Sequence, residues 1–577
     1  MTEIIDEGAI TRANQLLRKY RAGKAALEAR IVEAEQWWKL RHNEIPRDGR
    51  TDPRENVSAW LFNTIAGKHA DAMDAYPQPN FLPREASDRE TARLLGAVVP
   101  CILEQCGFEE VWSDVMWQKL KQGTGVYKIL WDPAKLHGLG DVAVTRADVL
   151  SLFWEPGLTD IQKSPNLFHV EMWDREKLRN AWPDAGAVHG GVTVSRYLNE
   201  DGADTADRVP VVDWYYKKGG KLHYCKYAGS QVLYATENDP KLCERGWYDH
   251  GMYPFVFDRL YPVEGSPCGF GYVDVGKHAQ DSIDRLGSAV TRNALMAAEP
   301  RYFIRGDGAV NEEEFADWTA PLVHVSGNLG ADSVRQITVS PVADVCVAVL
   351  NNKIEELKFT AGNQDVQNGQ NPSGVTAASA IAALQETAGR MSRDSTRGAY
   401  RAFSRVVEQV VELVRQFYEM PRAFRITGEA GREAFISFSN AAMVPKAQGV
   451  DFGVDMGWRT PGFDVKAAPA KKTAYTSMGQ NETALQLYKL GFFQPRNALQ
   501  ALSCLEMMDF DGKDAVIRRI RQNAAVLQDT AEKVPEMQGK GEVNMPGEIS
   551  NITGRAAPRE SAAVRKSRQR AAQASQV

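Results

Sequence analysis

One uninterrupted helical pattern constrains this chain more than any other feature. "DVGKHAQDSIDRLGSAVTRNALMAA" runs from Asp274 to Ala298 and stops before Pro300. Ile283, Leu286, Val290 and Ala294 recur at helical spacing on one side, and Lys277, Asp281, Arg285, Ser288 and Arg292 on the other. A helix of this length spans about 38 Å. The i,i+4 pairs Lys277/Asp281 and Asp281/Arg285 can each add about 0.2–0.5 kcal/mol. A strand-rich insertion follows at 299–340, with "RYFIRG" and "PLVHVSG", then a second helical stretch, "VADVCVAVLNNKIEELKFTAG". Next comes a polar loop, "NQDVQNGQNPSG", and then the longest helical pattern of all, Val375 to Met420. Phe403, Val406, Val410, Leu413 and Phe417 share one face of its lower half; Ile381, Leu384 and Met391 line its upper half. Gly389 and Gly398 lie inside, each costing about 1 kcal/mol relative to Ala, which predicts a bend or a close helix contact. Pro421 ends the run.

The flanking regions complete an α+β reading. Residues 1–125 read as helical, through "AALEARIVEAEQWWKLR", with Ile31, Ala34 and Trp38 on one side, and "FEEVWSDVMWQKLKQGTG". From 126 to about 265 the pattern is β-rich; "VPVVDWYYKKGGKLHYCKYAGSQVLYAT" predicts three strands split at Gly219-Gly220 and Gly229-Ser230. Residues 422–475 read as strand and loop, and 481–526 as two or three helices. From 531 the composition is polar and Gly/Ala/Arg-rich, with Arg565, Lys566, Arg568 and Arg570 near the end, which predicts a flexible basic tail. With 577 residues, several domains are expected. No apolar run approaches a membrane span, and "MTEIIDEGAITRANQ" lacks the pattern of a signal peptide, implying synthesis in the cytosol. The net charge of −5 argues against tight, charge-driven nucleic-acid binding by the whole surface.

Catalytic and metal motifs fail on inspection. "GYVDVGKH", Gly271 to His278, fits G-x-x-x-x-G-K but places His where a P-loop needs Ser or Thr for its magnesium ion. "GFG" at 269–271 is not a dinucleotide fingerprint, because Asp274 takes the last glycine position. "RGD" at 305–307 reads as a turn, and "NEEEF" at 311–315 as a helix start. The seven cysteines, Cys101, Cys106, Cys225, Cys243, Cys268, Cys346 and Cys504, include no C-x-x-C pair and read as buried free thiols. No catalytic residue, metal site or cofactor is expected.

The order helix, insertion, helix, polar loop, long helix resembles the portal protein of tailed bacteriophages, the head-to-tail connector. The likeness is carried by "YPFVFDRLYPVEGSPCGFGYVDVGKHAQDSIDRL" and "NGQNPSGVTAASAIAALQETAGRMSRDSTRGAYRAF". "WLFNTIAGKHADAMDAYPQPNFLPRE", "KLKQGTGVYKILWDP", "LFWEPGLTDIQKSPNLFHVE" and "ALQLYKLGFF" add to it, over about residues 50–515. The resemblance implies a ring, usually of twelve subunits, around a channel for double-stranded DNA. It implies an N-terminal wing at 1–265, a first stem helix within 266–298 and a clip at 299–340. A second stem helix at 341–360, a tunnel loop at 361–374, a kinked wing helix with following strands at 375–475 and a helical crown at 476–530 complete it. Implied partners are the terminase large subunit, major capsid and scaffolding proteins, and tail-adaptor proteins. The implied location is the capsid vertex of the virion, after assembly in the host cytoplasm. The resemblance further implies no membrane insertion and no hydrolysis by the portal itself.

Within that frame the loop residues Asn363, Gln364, Asp365, Gln367, Asn368, Gln370 and Asn371 are expected to meet DNA or a neighbouring loop. Lys277, Asp281, Arg285, Ser288 and Arg292 are expected to face the channel or a neighbouring subunit. Ile283, Leu286 and Val290 are expected at an apolar interface, and the tail residues Arg565, Lys566, Arg568 and Arg570 are candidates for DNA contact. Two other readings stand beside this one: a P-loop-type packaging ATPase using Lys277, and a non-portal capsid or tail structural protein.

Overall fold

A computed structural model describes residues 4–44, 57–183, 194, 197, 208–298, 301–304, 310–317, 322–326, 334–337, 344–362, 390–427, 433–447, 450–451, 454–455, 457–469, 485–492, 494, 498–507 and 516–522. The chain divides into two compact units, Met1–Lys471 and Lys472–Val577.

The first unit starts with helix α1 (Glu7–Trp38), capped by Asp6, whose carboxylate accepts the Ala9 N–H at 2.8 Å. Ile10, Ala13, Leu17 and Tyr20 form its buried stripe. That stripe packs with Phe153, Phe168, Val212 and Tyr227 of a five-stranded sheet. The sheet runs in sequence order: β4 (Leu152–Trp154), β5 (Asn166–Asp174), β6 (Arg208–Lys218), β7 (Lys221–Ala228) and β8 (Gln231–Ala235). The β6–β7–β8 meander turns at the glycines marked by the sequence; Gly219 and Gly220 both have positive φ, as a tight hairpin turn demands. A short helix, α5 (Arg175–Ala181), follows β5.

Helices α2 (Trp60–Asp74), α3 (Arg89–Gln105) and α4 (Phe108–Gln122) lead into a three-stranded sheet. Its centre is β2 (Thr124–Asp132), flanked by β3 (Asp141–Ala147) and β9 (Phe255–Arg259). The first 125 residues are not purely helical. Strand β1 (Pro77–Pro83) pairs antiparallel with Phe463–Pro469, almost 400 residues later. Pro77, Pro79 and Pro83 hid this strand. At alternate positions their missing N–H groups all fall on one edge, where an edge strand tolerates them.

The long helix α9 runs unbroken from Arg390 to Phe417. Phe403, Val406, Val410 and Leu413 of the expected stripe are buried, with Val407 and Val414 added, in one core with α3, α4, β2 and β3. Phe417 is half-buried and stacks on Trp131 at 4.7 Å. Gly389 and residues 375–388 lie outside the described residues. Every described strand pairing is antiparallel, which suits an α+β protein.

Two further helices lie in this unit: α6 (Tyr272–Ala298), after the strand pair β10 (Tyr261–Pro262) and β11 (Gly269–Phe270), and α8 (Asp344–Thr360). Between them β12 (Tyr302–Ile304) pairs with β13 (Val334–Gln336). Helix α7 (Glu312–Ala316) begins at Asn311, which accepts the N–H groups of Glu313 and Glu314, as a helix start should. The "RGD" stretch lies outside the described residues. In the second unit, α10 (Ala498–Met507) contributes Ala501 and Leu505 to a small core with Leu487 and Ile520.

All seven cysteines are free thiols. Cys225 and Cys268 are buried, but Cys504 is exposed and the other four are intermediate, so burial is not their common property.

Candidate functional site: an antiparallel helix pair and the clasp at its base

Helix α6 grows out of a close backbone crossing. A Cβ on Gly271 would lie 2.4 Å from the Lys121 carbonyl oxygen, and one on Gly123 would lie 2.3 Å from the carbonyl carbon of Phe270. The Gly269 N–H donates to Thr124 Oγ1 at 2.8 Å. The glycines of "GTG" and "GFG" thus let the end of α4 and the start of α6 touch. They serve packing, not a phosphate. The G-x-x-x-x-G-K segment is helical from Tyr272, with Gly276 pressed against Leu61 and Leu357. A P-loop needs its amides in an open glycine-rich loop; here Tyr272–Lys277 is the first part of a helix.

The base of α6 is fastened by polar side chains. Asp284 Oδ1 accepts from the Ser58 N–H (2.9 Å), Ser58 Oγ (2.6 Å) and Gln280 Nε2 (2.9 Å). Its Oδ2 lies 2.9 Å from His42 Nε2, and the His42 ring stacks on Trp37 at 3.8 Å. Gln280 Oε1 accepts the Leu61 N–H, satisfying a first-turn amide of α2 that has no partner inside the helix. Arg30 pairs with Asp274 at 3.7 Å.

Beyond this base the pair is bare. The start of α6 meets the end of α8 through Gly276 and Leu357, so the two run antiparallel. Every side chain from Ala294 to Ala298 is exposed, and Leu357 is the one buried residue of α8. Leu295 is 56% exposed and Val345 70%; Phe359, exposed as well, lies at the base end of α8.

The polar residues singled out by spacing do not share one environment. Lys277 turns to Glu33 of α1 at 3.2 Å, not to Asp281. Asp281 pairs with Arg285 at 2.9 Å, as spacing suggested. Ser288 is buried within the chain, while Arg285 and Arg292 are exposed. Ile283 is buried; Leu286 and Val290 are half-buried. The loop residues Asn363, Gln364, Asp365, Gln367, Asn368, Gln370 and Asn371 lie outside the described residues, as do Arg565, Lys566, Arg568 and Arg570.

The roots of that loop are described, and they are clasped together. Lys68 of α2 is 4% exposed, and its Nζ donates to the Gly362 carbonyl at 2.8 Å and to Ser392 Oγ at 3.0 Å. Ser392 in turn donates to Asp71 at 2.7 Å. Gly362 has φ +64, and a Cβ there would lie 2.7 Å from Met391 Sδ. Gly362 and Ser392 are therefore held to one lysine. Burial holds the Lys68 ammonium below its ordinary pKa, partly offset by Asp71. Sequence reasoning missed Lys68, Gln280 and Asp284; a charged residue on the apolar side of α2 was the available signal for the first.

A second buried charge cluster is geometrically metal-like. One ligand atom each from His169, Glu171 and Asp213 lie within 4.8 Å of one another. Lys128 Nζ stands 3.2, 3.1 and 3.6 Å from them, and Lys226 pairs with Asp213 at 2.8 Å. The ammonium groups already supply the cation. The hydrogen bond with His169, then the Lys226 and Lys128 ammonium groups, hold the Asp213 carboxyl far below the usual range despite its burial.

The family model for phage P22-like portal proteins matches residues 22–250 and 217–576. The chain belongs to the phage P22-like portal protein family. No curated protein matches it. In this portal chain the family match spans the helix pair, the clasp and the long helix together, and no helix of the described residues is long and apolar enough to cross a membrane.

Proposed function

We propose that the chain assembles into a closed ring, of about twelve copies by family resemblance, whose α6–α8 pairs surround a channel for double-stranded DNA at one capsid vertex. The observation that carries this reading is the helix pair. It fastens its base with polar side chains and leaves its outer half bare, with Leu295 and Val345 in solvent. Isolated apolar helix surface of this kind is stabilised by a neighbour, and a head-to-tail contact that closes by rotation makes a ring. In this reading α6 and α8 are the stem and 299–340 the clip. The polar loop at 361–374 is the tunnel loop, 476–530 is the crown, and the N-terminal layers are the wing. The ring passes DNA during packaging, retains it and releases it, docking the terminase motor first and tail adaptors later. It catalyses no reaction itself. Arg285 and Arg292 face the channel or the next subunit, and the basic tail is a further point for phosphate contact.

The loop has Asp365 and no Lys or Arg, so it meets DNA without gripping phosphate. Deleting 364–370 leaves rings intact and impairs packaging or retention, scored as filled heads in a complementation assay. Filled, stable heads from that deletion refute the loop's role. Sedimentation of the purified chain tests the ring: a single closed oligomer supports it, and a monomer under every assembly condition overturns it.

A further inference from the structure

Helix α9 carries a second, separate surface. Arg393, Arg397, Arg401 and Arg405 recur at four-residue spacing on the side opposite the buried Phe403, Val406 and Val410, and all four are exposed. Twelve residues of helix make this stripe about 18 Å long. Arg259 of β9 lies beside it, lining with Arg405 one side of a groove of about 400 Å³ that Asp160 and Glu408 also line. Among the described residues, Arg259, Arg397, Arg401 and Arg405 form no ion pair with a carboxylate. The nearby Asp258 is buried and paired with Lys119 at 2.8 Å. Asp394 sits beside the first arginine, and Glu408 follows the last and limits the stripe. Arginine forks at regular spacing match phosphate oxygens and bind them in pairs. One DNA strand offers a phosphate every 3.4 Å of axis, so the stripe faces about five of them. The residues between the arginines include Gly398 and Ser404, without the large apolar anchor that a protein interface sets at its centre.

We propose that the Arg393–Arg405 face of α9 binds the phosphate backbone of double-stranded DNA without regard to sequence, as a site distinct from the tunnel loop and the helix pair. It rests on DNA being a partner of this chain. Phosphate contacts position a duplex and carry no base information, which suits a protein that must handle a whole genome.

The test uses a labelled 30-base-pair duplex of mixed sequence and the full-length chain, with anisotropy measured across a KCl series. The wild type and a variant with Arg565, Lys566, Arg568 and Arg570 changed to Gln serve as parallel backgrounds, so that the tail cannot mask the stripe. Arg397→Ala with Arg401→Ala lowers the log K against log salt slope by about two, so the affinity lost between 50 and 200 mM salt shrinks about tenfold. Arg397→Lys with Arg401→Lys keeps the slope, which a purely structural role of these side chains does not predict. An unchanged slope in the double alanine variant overturns the proposal. So does loss of rings in electron micrographs with duplex binding intact, which makes the stripe a contact between copies. Rings that persist while the slope falls separate this proposal from the ring reading and support both.

Discussion

Replacing Lys68 by Met tests the loop clasp. Met keeps most of the side-chain volume and removes the ammonium, which leaves the Gly362 carbonyl and Ser392 Oγ without their donor at 2.8 and 3.0 Å. Hydrogen bonds from a charged donor contribute about 1.5–3 kcal/mol each. The variant no longer has to desolvate a lysine, and that offsets part of the loss. A net local cost of about 2 kcal/mol follows. The global fold keeps its large core, so the cost falls on the opening of the loop roots. Hydrogen exchange at residues 357–362 and 391–396 should speed up about 30-fold, since 1.4 kcal/mol corresponds to a factor of ten. Exchange in the β6–β7–β8 meander should not change. Unchanged exchange at both roots in Lys68→Met would refute the clasp.

Gly271→Ala puts a Cβ 2.4 Å from the Lys121 carbonyl and should destabilise by about 1–3 kcal/mol in thermal unfolding. Gly287→Ala, with nothing within 4 Å, should be neutral or stabilise by up to about 1 kcal/mol. Lys128→Met takes from the buried Asp213 one of its two lysine partners, leaving Lys226, and from the partly exposed Glu171 its cation, and a loss of about 1–3 kcal/mol should appear in the denaturant midpoint. Burial pushes the His250 imidazole down to about 4, and its Nδ1 accepts the Met252 N–H at 3.0 Å, so the folded state keeps it neutral. The unfolded chain takes up the proton first, near its ordinary value. Stability from this group is therefore whole above about pH 6.5 and is lost as pH falls toward 4, by at most about 3 kcal/mol. His250→Gln should flatten that part of the acid limb, measured as unfolding free energy against pH.

Periodicity made the long elements legible. The α6 pattern is helical throughout Asp274–Ala298, and the β6–β7–β8 meander turns at its paired glycines. What escaped were features that depend on partners far along the chain. β1 carries three prolines and becomes a strand through Phe463–Pro469. Asp284 and Gln280 look like surface positions of an amphipathic helix until Ser58 and His42 arrive from more than 200 residues away. Lys68 reads as a solvated lysine until Gly362 closes over it. Helical spacing also grouped Lys277 with Ser288 on one face, but a face has one environment only if its surroundings are uniform along its length. The base of α6 is enclosed by α1, α2, α4 and α8, and its outer half is not.

The central claim is that bare helix pairs meet around a channel. Electron cryomicroscopy of the purified full-length chain tests it most directly. The account predicts closed rings in which Tyr272–Ala298 and Asp344–Thr360 of every copy surround one central opening, with the loop roots at Gly362 and Met391 directed toward it. Monomers alone, or rings that carry these two helices on the outer rim, would contradict it.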